Sequence, residues 1–185
     1  WVVPTNFEER ALQADARGQT LGINVHSWLP IGALVERQAE TWLDRMNADV
    51  LDGAAGPFAD ELRKSVNIRR AWLRSEGYAL DQNGQLIREV AERLRKEEFQ
   101  AATRTESIRE RLPFVSRENW RDFSGTYSRH VELAQGRFAV IVGRDHYTLI
   151  QASARNSIWL GREVTLIRSP GSIQWTLGRS QTRSS

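Results

Sequence analysis

Arginine is the residue best equipped for chemistry in this chain, because its planar fork of donors matches phosphate or carboxylate oxygens. Of 26 basic residues only Lys64 and Lys96 are lysines. Arg63, Arg70 and Arg74 recur at the spacing of one helical face. Such a stripe can meet phosphates along one strand, or it can be the solvated side of an ordinary helix. A second set, Arg129, Arg137, Arg144, Arg168 and Arg179, is interleaved with Tyr127, Tyr147 and Trp175. Aromatics and arginines on one face of a small β-domain can stack single-stranded bases. The same aromatics can also be core, and Trp175 alternates with Ile173 and Leu177 as a core residue does.

Residues that would support catalysis do not assemble. His26, His130 and His146 stand apart with no paired His-x-His spacing, and there are no cysteines. Disulfides and thiolate-ligated zinc are therefore excluded. Asp145, His146 and Tyr147 are consecutive at the edge of a turn. In an extended chain neighbours point to opposite faces, so these three do not converge. Tyr127 falls in a strand with no metal-ligating cluster beside it, and the pair Glu97-Glu98 reads as an ion-paired, solvated helix face. No catalytic residue, metal ligand or cofactor is expected. The candidate nucleic-acid contacts are Arg63, Arg70, Arg74, Arg137, Arg144, Arg168 and Arg179.

Composition places these residues in a globular context. The chain has 185 residues, 40% hydrophobic and 26% charged, enough for one domain with a real core or two small ones. No apolar run approaches the roughly 18 residues of a membrane helix. The start, Trp1-Val2-Val3-Pro4, is not a signal peptide and reads as a cut inside a longer protein. A reducing cytoplasm is the expected compartment. Charge is uneven: residues 1–100 hold 13 basic and 16 acidic groups, residues 101–185 hold 13 and 7, giving −3 and +6.

The elements that must position the arginines follow from periodicity. A helix is expected at Phe7–Arg17 behind Asn6, then a strand at Leu21–His26. Pro30 opens a short helix to about Gln38. Thr41–Arg45 is ambiguous between strand and helix. After the breakers Gly53 to Pro57, a strong helix runs from Phe58 to about Glu76, with Phe58, Leu62, Val66 and Leu73 on one face. Asn83-Gly84 marks a hairpin, since both residues accept positive φ, and helix plus hairpin looks winged-helix-like. The longest helix spans about Leu86–Leu112, with Ile87, Val90, Leu94, Ala101, Ile108 and Leu112 aligned, and ends before Pro113.

From Trp120 the period becomes two. Strands are expected at 127–133, 137–142, 146–150, 161–168 and 172–177, with a short helix or loop over 153–160. The expected fold class is α+β: a helical N-terminal part with a winged-helix-like hairpin, then a small five-stranded antiparallel β-barrel-like part. The expected division is a small α/β segment at 1–55, a helical segment at 56–115, a barrel-like domain at 116–178 and a mobile tail at 179–185.

Four stretches carry a resemblance over nearly the whole chain. They are Trp1-Val-Val-Pro-Thr-Asn-Phe7, Thr41-Trp-Leu-Asp-Arg45, Ser124-Gly-Thr-Tyr127 with Val131 to Val140, and Gln174-Trp175-Thr-Leu-Gly178-Arg179. In this order they resemble the uncharacterised C-terminal region of conjugative relaxases, the mobilisation nucleases of plasmids and integrative elements related to the Agrobacterium relaxase. The chain departs from that pattern at Leu149-Ile-Gln-Ala152 and in the Ser/Thr tail after Arg179. The resemblance implies that nicking chemistry lies in a separate N-terminal domain and that this region assists DNA binding at the transfer origin. It also implies relaxosome proteins or the coupling protein as partners of an alternative, interaction-module reading. In that reading, Arg179 and Arg183 in the hydrophilic tail fit a type IV secretion signal or a merely disordered end.

Overall fold

The computed structural model describes residues 29–53 and 56–178. The expected helix at Phe7–Arg17, the strand at Leu21–His26 and the tail at 179–185 lie outside the described residues. The chain is α+β, helices first and then a five-stranded antiparallel sheet. Two compact units share the described residues. One takes residues 29–101 with 132–136; the other takes 102–131 with 137–178.

In the first unit, α1 (Ile31–Leu34) starts directly after Pro30. It stops four residues short of the expected Gln38. The carbonyls of Val35, Arg37 and Ala39, past that end, accept from the Arg69 guanidinium, which supplies partners that no further helical turn provides. Thr41–Arg45 resolves as a 3-10 turn over Trp42–Arg45. Asp44 Oδ2 locks it by accepting from the Thr41 backbone N–H at 2.7 Å and hydroxyl at 3.1 Å. A short helix α2 (Ala48–Gly53) follows.

Helix α3 (Pro57–Ser75) has Pro57 at its first position and left-handed Gly77 (φ 77°) after its end. Its buried stripe is Ala59, Leu62, Val66, Arg69 and Leu73, packed in part on Leu34, Val35, Leu43 and Leu51. Phe58, expected on that stripe, is 42% exposed because the period selects Ala59 instead. The hairpin after α3 is reduced to a single bridge, Leu80 to Leu86. Only Gly84 takes a positive φ (72°) there. Asp81 shapes the turn in place of Asn83: its Oδ1 accepts from the N–H groups of Asn83 and Gln85 at 2.8 and 2.9 Å.

Helix α4 (Arg88–Glu110) is 23 residues long and gives way to Arg111, whose φ of 56° breaks the helical path before Pro113. Its inward stripe begins with Ala91 and Leu94, but continues with the carboxylates Glu98 and Glu106. Ile108, expected on an apolar face, is therefore 80% exposed.

The strands, which lie in the second unit except for the β1–β2 tip at residues 132–136, are β1 (Asp122–Leu133), β2 (Gly136–Val142), β3 (Tyr147–Gln151), β4 (Glu163–Ser169) and β5 (Ser172–Leu177), with a short helix α5 (Ala154–Ser157) between β3 and β4. Their order is β3-β2-β1-β4-β5. The sheet is open, so the expected barrel-like closure is not reached. The free edge of β3 is occupied: Tyr147 donates to the Pro113 carbonyl and its own carbonyl accepts from Val115. On one face of the sheet Tyr127, Ala139, Ile141, Ile150, Val164 and Leu166 pack with Trp120, and on the other Phe138, Val140, Tyr147 and Leu149 are buried as well.

Candidate functional site

The three helical arginines differ in availability. Arg63 donates to Asp60 Oδ1 at 3.0 Å and to the Leu51 carbonyl at 2.8 Å. Arg70 donates to the Met46 carbonyl at 2.9 Å, and its guanidinium lies against Gly84. Both are half-buried, and both tie α3 to neighbouring segments. Arg74 is exposed and makes no side-chain hydrogen bond or ion pair among the described residues.

Arg69, on the apolar period of α3, is the best-held arginine among the described residues. It is fully buried and meets Asp44 through two bonds, Nε to Oδ1 at 2.8 Å and Nη2 to Oδ2 at 3.1 Å. Its remaining donors reach the carbonyls of Val35, Arg37 and Ala39 at 3.2, 2.6 and 2.6 Å, and its guanidinium lies 4.8 Å from the centre of the Trp72 ring. This fork joins α3, the 3-10 turn and the irregular segment before it. The available clue was Arg69 falling on the apolar period of α3, opposite a Thr41-x-x-Asp44 cap. Nearby, burial raises the Glu40 carboxyl above its ordinary value, against the opposing pull of Arg45 and Arg95 at 3.5 and 3.7 Å.

The pair Glu97-Glu98, expected to be wholly solvated, divides. Glu97 is exposed and loosely opposite Arg93 at 3.9 Å. Glu98 is part-buried, accepts Arg37 Nε at 2.7 Å and takes the Ala134 N–H on both oxygens at 3.0 and 3.1 Å.

In the sheet unit, Arg129 is clamped by Glu106 and Glu110 of α4, and burial draws its guanidinium below its ordinary value. Arg137 is buried, with Nη1 3.5 Å from Ser157 Oγ. Arg168 is exposed yet donates to the carbonyls of Arg117 and Glu118 at 3.1 and 3.0 Å. Arg144 stands exposed on the β2–β3 turn. It shares with exposed Arg121 and Arg162 the lack of any side-chain bond or ion pair among the described residues. Arg179 lies outside the described residues.

Tyr127 is fully buried, 5.9 Å ring to ring from Trp175, and cannot present its hydroxyl to a substrate at the surface. Tyr147 is also buried. Its hydroxyl bonds the Thr103 carbonyl and Ser107, while Asp145 and His146 face solvent, so the three do not converge. Among the described residues no cluster of three or more His, Asp or Glu side chains could hold a metal ion. No described helix is long and apolar enough to cross a membrane.

One surface joins aromatic and cationic groups. Trp175 stands on the core side of β5 in register with Leu166, and Leu177 two residues on is 48% exposed. Trp159, in the crossover between β3 and β4, lies 6.2 Å from Trp175, and both rings are part-exposed. Beside them Ile158 and Leu160 are 58% and 45% exposed. Arg162 is fixed at this edge by its backbone, donating to the Trp159 carbonyl and accepting from the Tyr127 N–H, both at 2.9 Å. Trp159 and Arg162 were not visible as a pair in the sequence, because their approach to β5 depends on which side of β1 the crossover delivers β4.

These features define an α+β protein with an arginine-rich, open-sheet unit. The chain belongs to the family described as "Protein of unknown function (DUF3363)", whose model matches residues 1–184. No match was found among curated proteins or among solved structures.

Proposed function

We propose that this chain is a non-catalytic region of a conjugative relaxase that assists DNA binding during mobilisation. The observation that carries the reading is the distribution of charge. The described residues of the sheet unit hold eleven arginines and six carboxylates, a net of +5, while those of the helical unit hold eleven basic and fourteen acidic groups, a net of −3. Arg121, Arg144 and Arg162 are exposed and make no side-chain hydrogen bond or ion pair among the described residues, which leaves their donors available to phosphates. The four stretches resembling relaxase C-terminal regions supply the biological setting. The helical stripe supports the reading less, because Arg63 and Arg70 already serve main-chain carbonyls.

A docking surface for relaxosome proteins or the coupling protein is the second reading, favoured by exposed Ile158, Leu160 and Leu177. Fluorescence anisotropy with labelled single-stranded and duplex oligonucleotides at low salt separates the two. Binding that weakens steeply with salt supports the DNA reading; absence of binding to either form refutes it.

A further inference from the structure

We propose that the surface formed by Trp159, Trp175 and Arg162 holds single-stranded DNA, with a base stacked on the accessible part of the Trp159 ring and a phosphate on Arg162. This rests on the DNA reading and narrows it to one strand class and one place. Paired bases have their faces covered by neighbours, so a part-exposed indole can take a base only from an unpaired strand. Trp159 is suited to stacking because its ring is held in contact with other aromatic rings. Trp175 lies 6.2 Å from it, tilted by 44°, and Tyr127 lies 5.9 Å from Trp175, tilted by 53°. The ladder is anchored in the core, so little side-chain freedom is lost when a base settles on it. Arg162 supplies the complementary charge. Its backbone is pinned to Trp159 and Tyr127, its side chain makes no ion pair among the described residues, and it is exposed. Exposed Ile158 and Leu160 add apolar surface on either side of Trp159 in the chain. A protein ligand would also value the apolar groups, but it gives no account of an unpaired arginine fixed to the same edge.

The test is anisotropy of the whole 185-residue chain with labelled dT20 and with a duplex of mixed sequence and the same length. Trp159→Ala should weaken dT20 binding about tenfold or more, the usual loss when a stacked base loses its ring, and should leave duplex binding nearly unchanged. Trp159→Phe keeps a stacking face and should restore most of the dT20 affinity. Arg162→Ala should lower the salt slope for dT20 by about 0.7. If Trp159→Ala perturbs the circular dichroism spectrum, Trp159→Phe and Arg162→Ala decide alone: an Arg162→Ala salt slope equal to wild type overturns the proposal. Equal losses for dT20 and duplex on Trp159→Ala, or no loss for either, overturn the single-strand site while leaving the DNA reading intact. Wild-type protein that binds neither oligonucleotide, but is captured by a relaxosome protein through Trp159, overturns both.

Discussion

Arg69 and Asp44 sit out of water, and each commits nearly every hydrogen-bonding atom to the other or to main-chain groups. Removing one partner strands a buried charge, which costs about 3–5 kcal/mol. Asp44→Ala should therefore lower the unfolding free energy by that amount in urea titration. Arg69→Lys should recover little, because a single ammonium cannot serve two carboxylate oxygens and three carbonyls at once. Glu40 gives a pH signature of the opposite kind. Burial raises its carboxyl above 4.5 in the folded chain, so the folded state binds its proton more tightly than the unfolded state. Its contribution to stability is full below 4.5 and is lost as pH rises through the raised folded value. Comparing wild type with Glu40→Gln by urea titration from about pH 4 to about pH 7 should show the wild type losing ground steadily to the variant. A constant difference would contradict that origin. The sequence made Arg63, Arg70 and Arg74 visible as a stripe, yet one side chain of that helix goes inward and was hidden by its charge. Arg69 obeys the apolar period, and only the partner supplied by Thr41-x-x-Asp44 makes its burial tolerable.

Among the elements, strands were the most legible, because period-two alternation broken by Gly and Pro turns leaves few choices of boundary. β1 alone runs well ahead of its expected start at Tyr127, because Asp122 to Thr126 pair with β4 from Ile167 back to Glu163. The close approach of β2 on the other side of β1 explains the glycine in Ser124-Gly-Thr-Tyr127. A Cβ on Gly125 would lie 2.5 Å from the Val142 carbonyl oxygen and 2.8 Å from the Gly143 nitrogen. Both are backbone atoms that cannot swing aside. Gly125→Ala should cost roughly 2 kcal/mol or more, as overpacking against rigid neighbours does, read as a fall in thermal midpoint. On α3, Arg63→Ala with Arg70→Ala should lose about 1–3 kcal/mol, since each removes a charged donor from a carbonyl. Arg74→Ala should shift stability by less than about 0.5 kcal/mol. Sheet closure was beyond the reach of periodicity, because it depends on residues 113–115 reaching the outer edge of β3, a pairing between segments with no shared pattern.

For the molecule as a whole, charge was readable from the start. The +6 of residues 101–185 in sequence becomes an arginine-rich sheet unit whose exposed members without a side-chain partner among the described residues are Arg121, Arg144 and Arg162 around the strands and Arg104, Arg109 and Arg111 on and just after α4. If DNA is the ligand, affinity comes from releasing counterions at phosphates and must fall with salt. The most direct measurement is the slope of log K against log salt for dT20, taken by anisotropy for wild type, for the triple variant Arg121→Ala, Arg144→Ala, Arg162→Ala, and for Arg63→Ala, Arg70→Ala, Arg74→Ala. Three lost contacts at about 0.7 each should lower the slope of the sheet-unit variant by roughly 2, with the helical variant close to wild type. No wild-type binding at low salt, or a sheet-unit variant whose slope matches wild type, would contradict the proposal that this chain contacts DNA through its arginine-rich sheet.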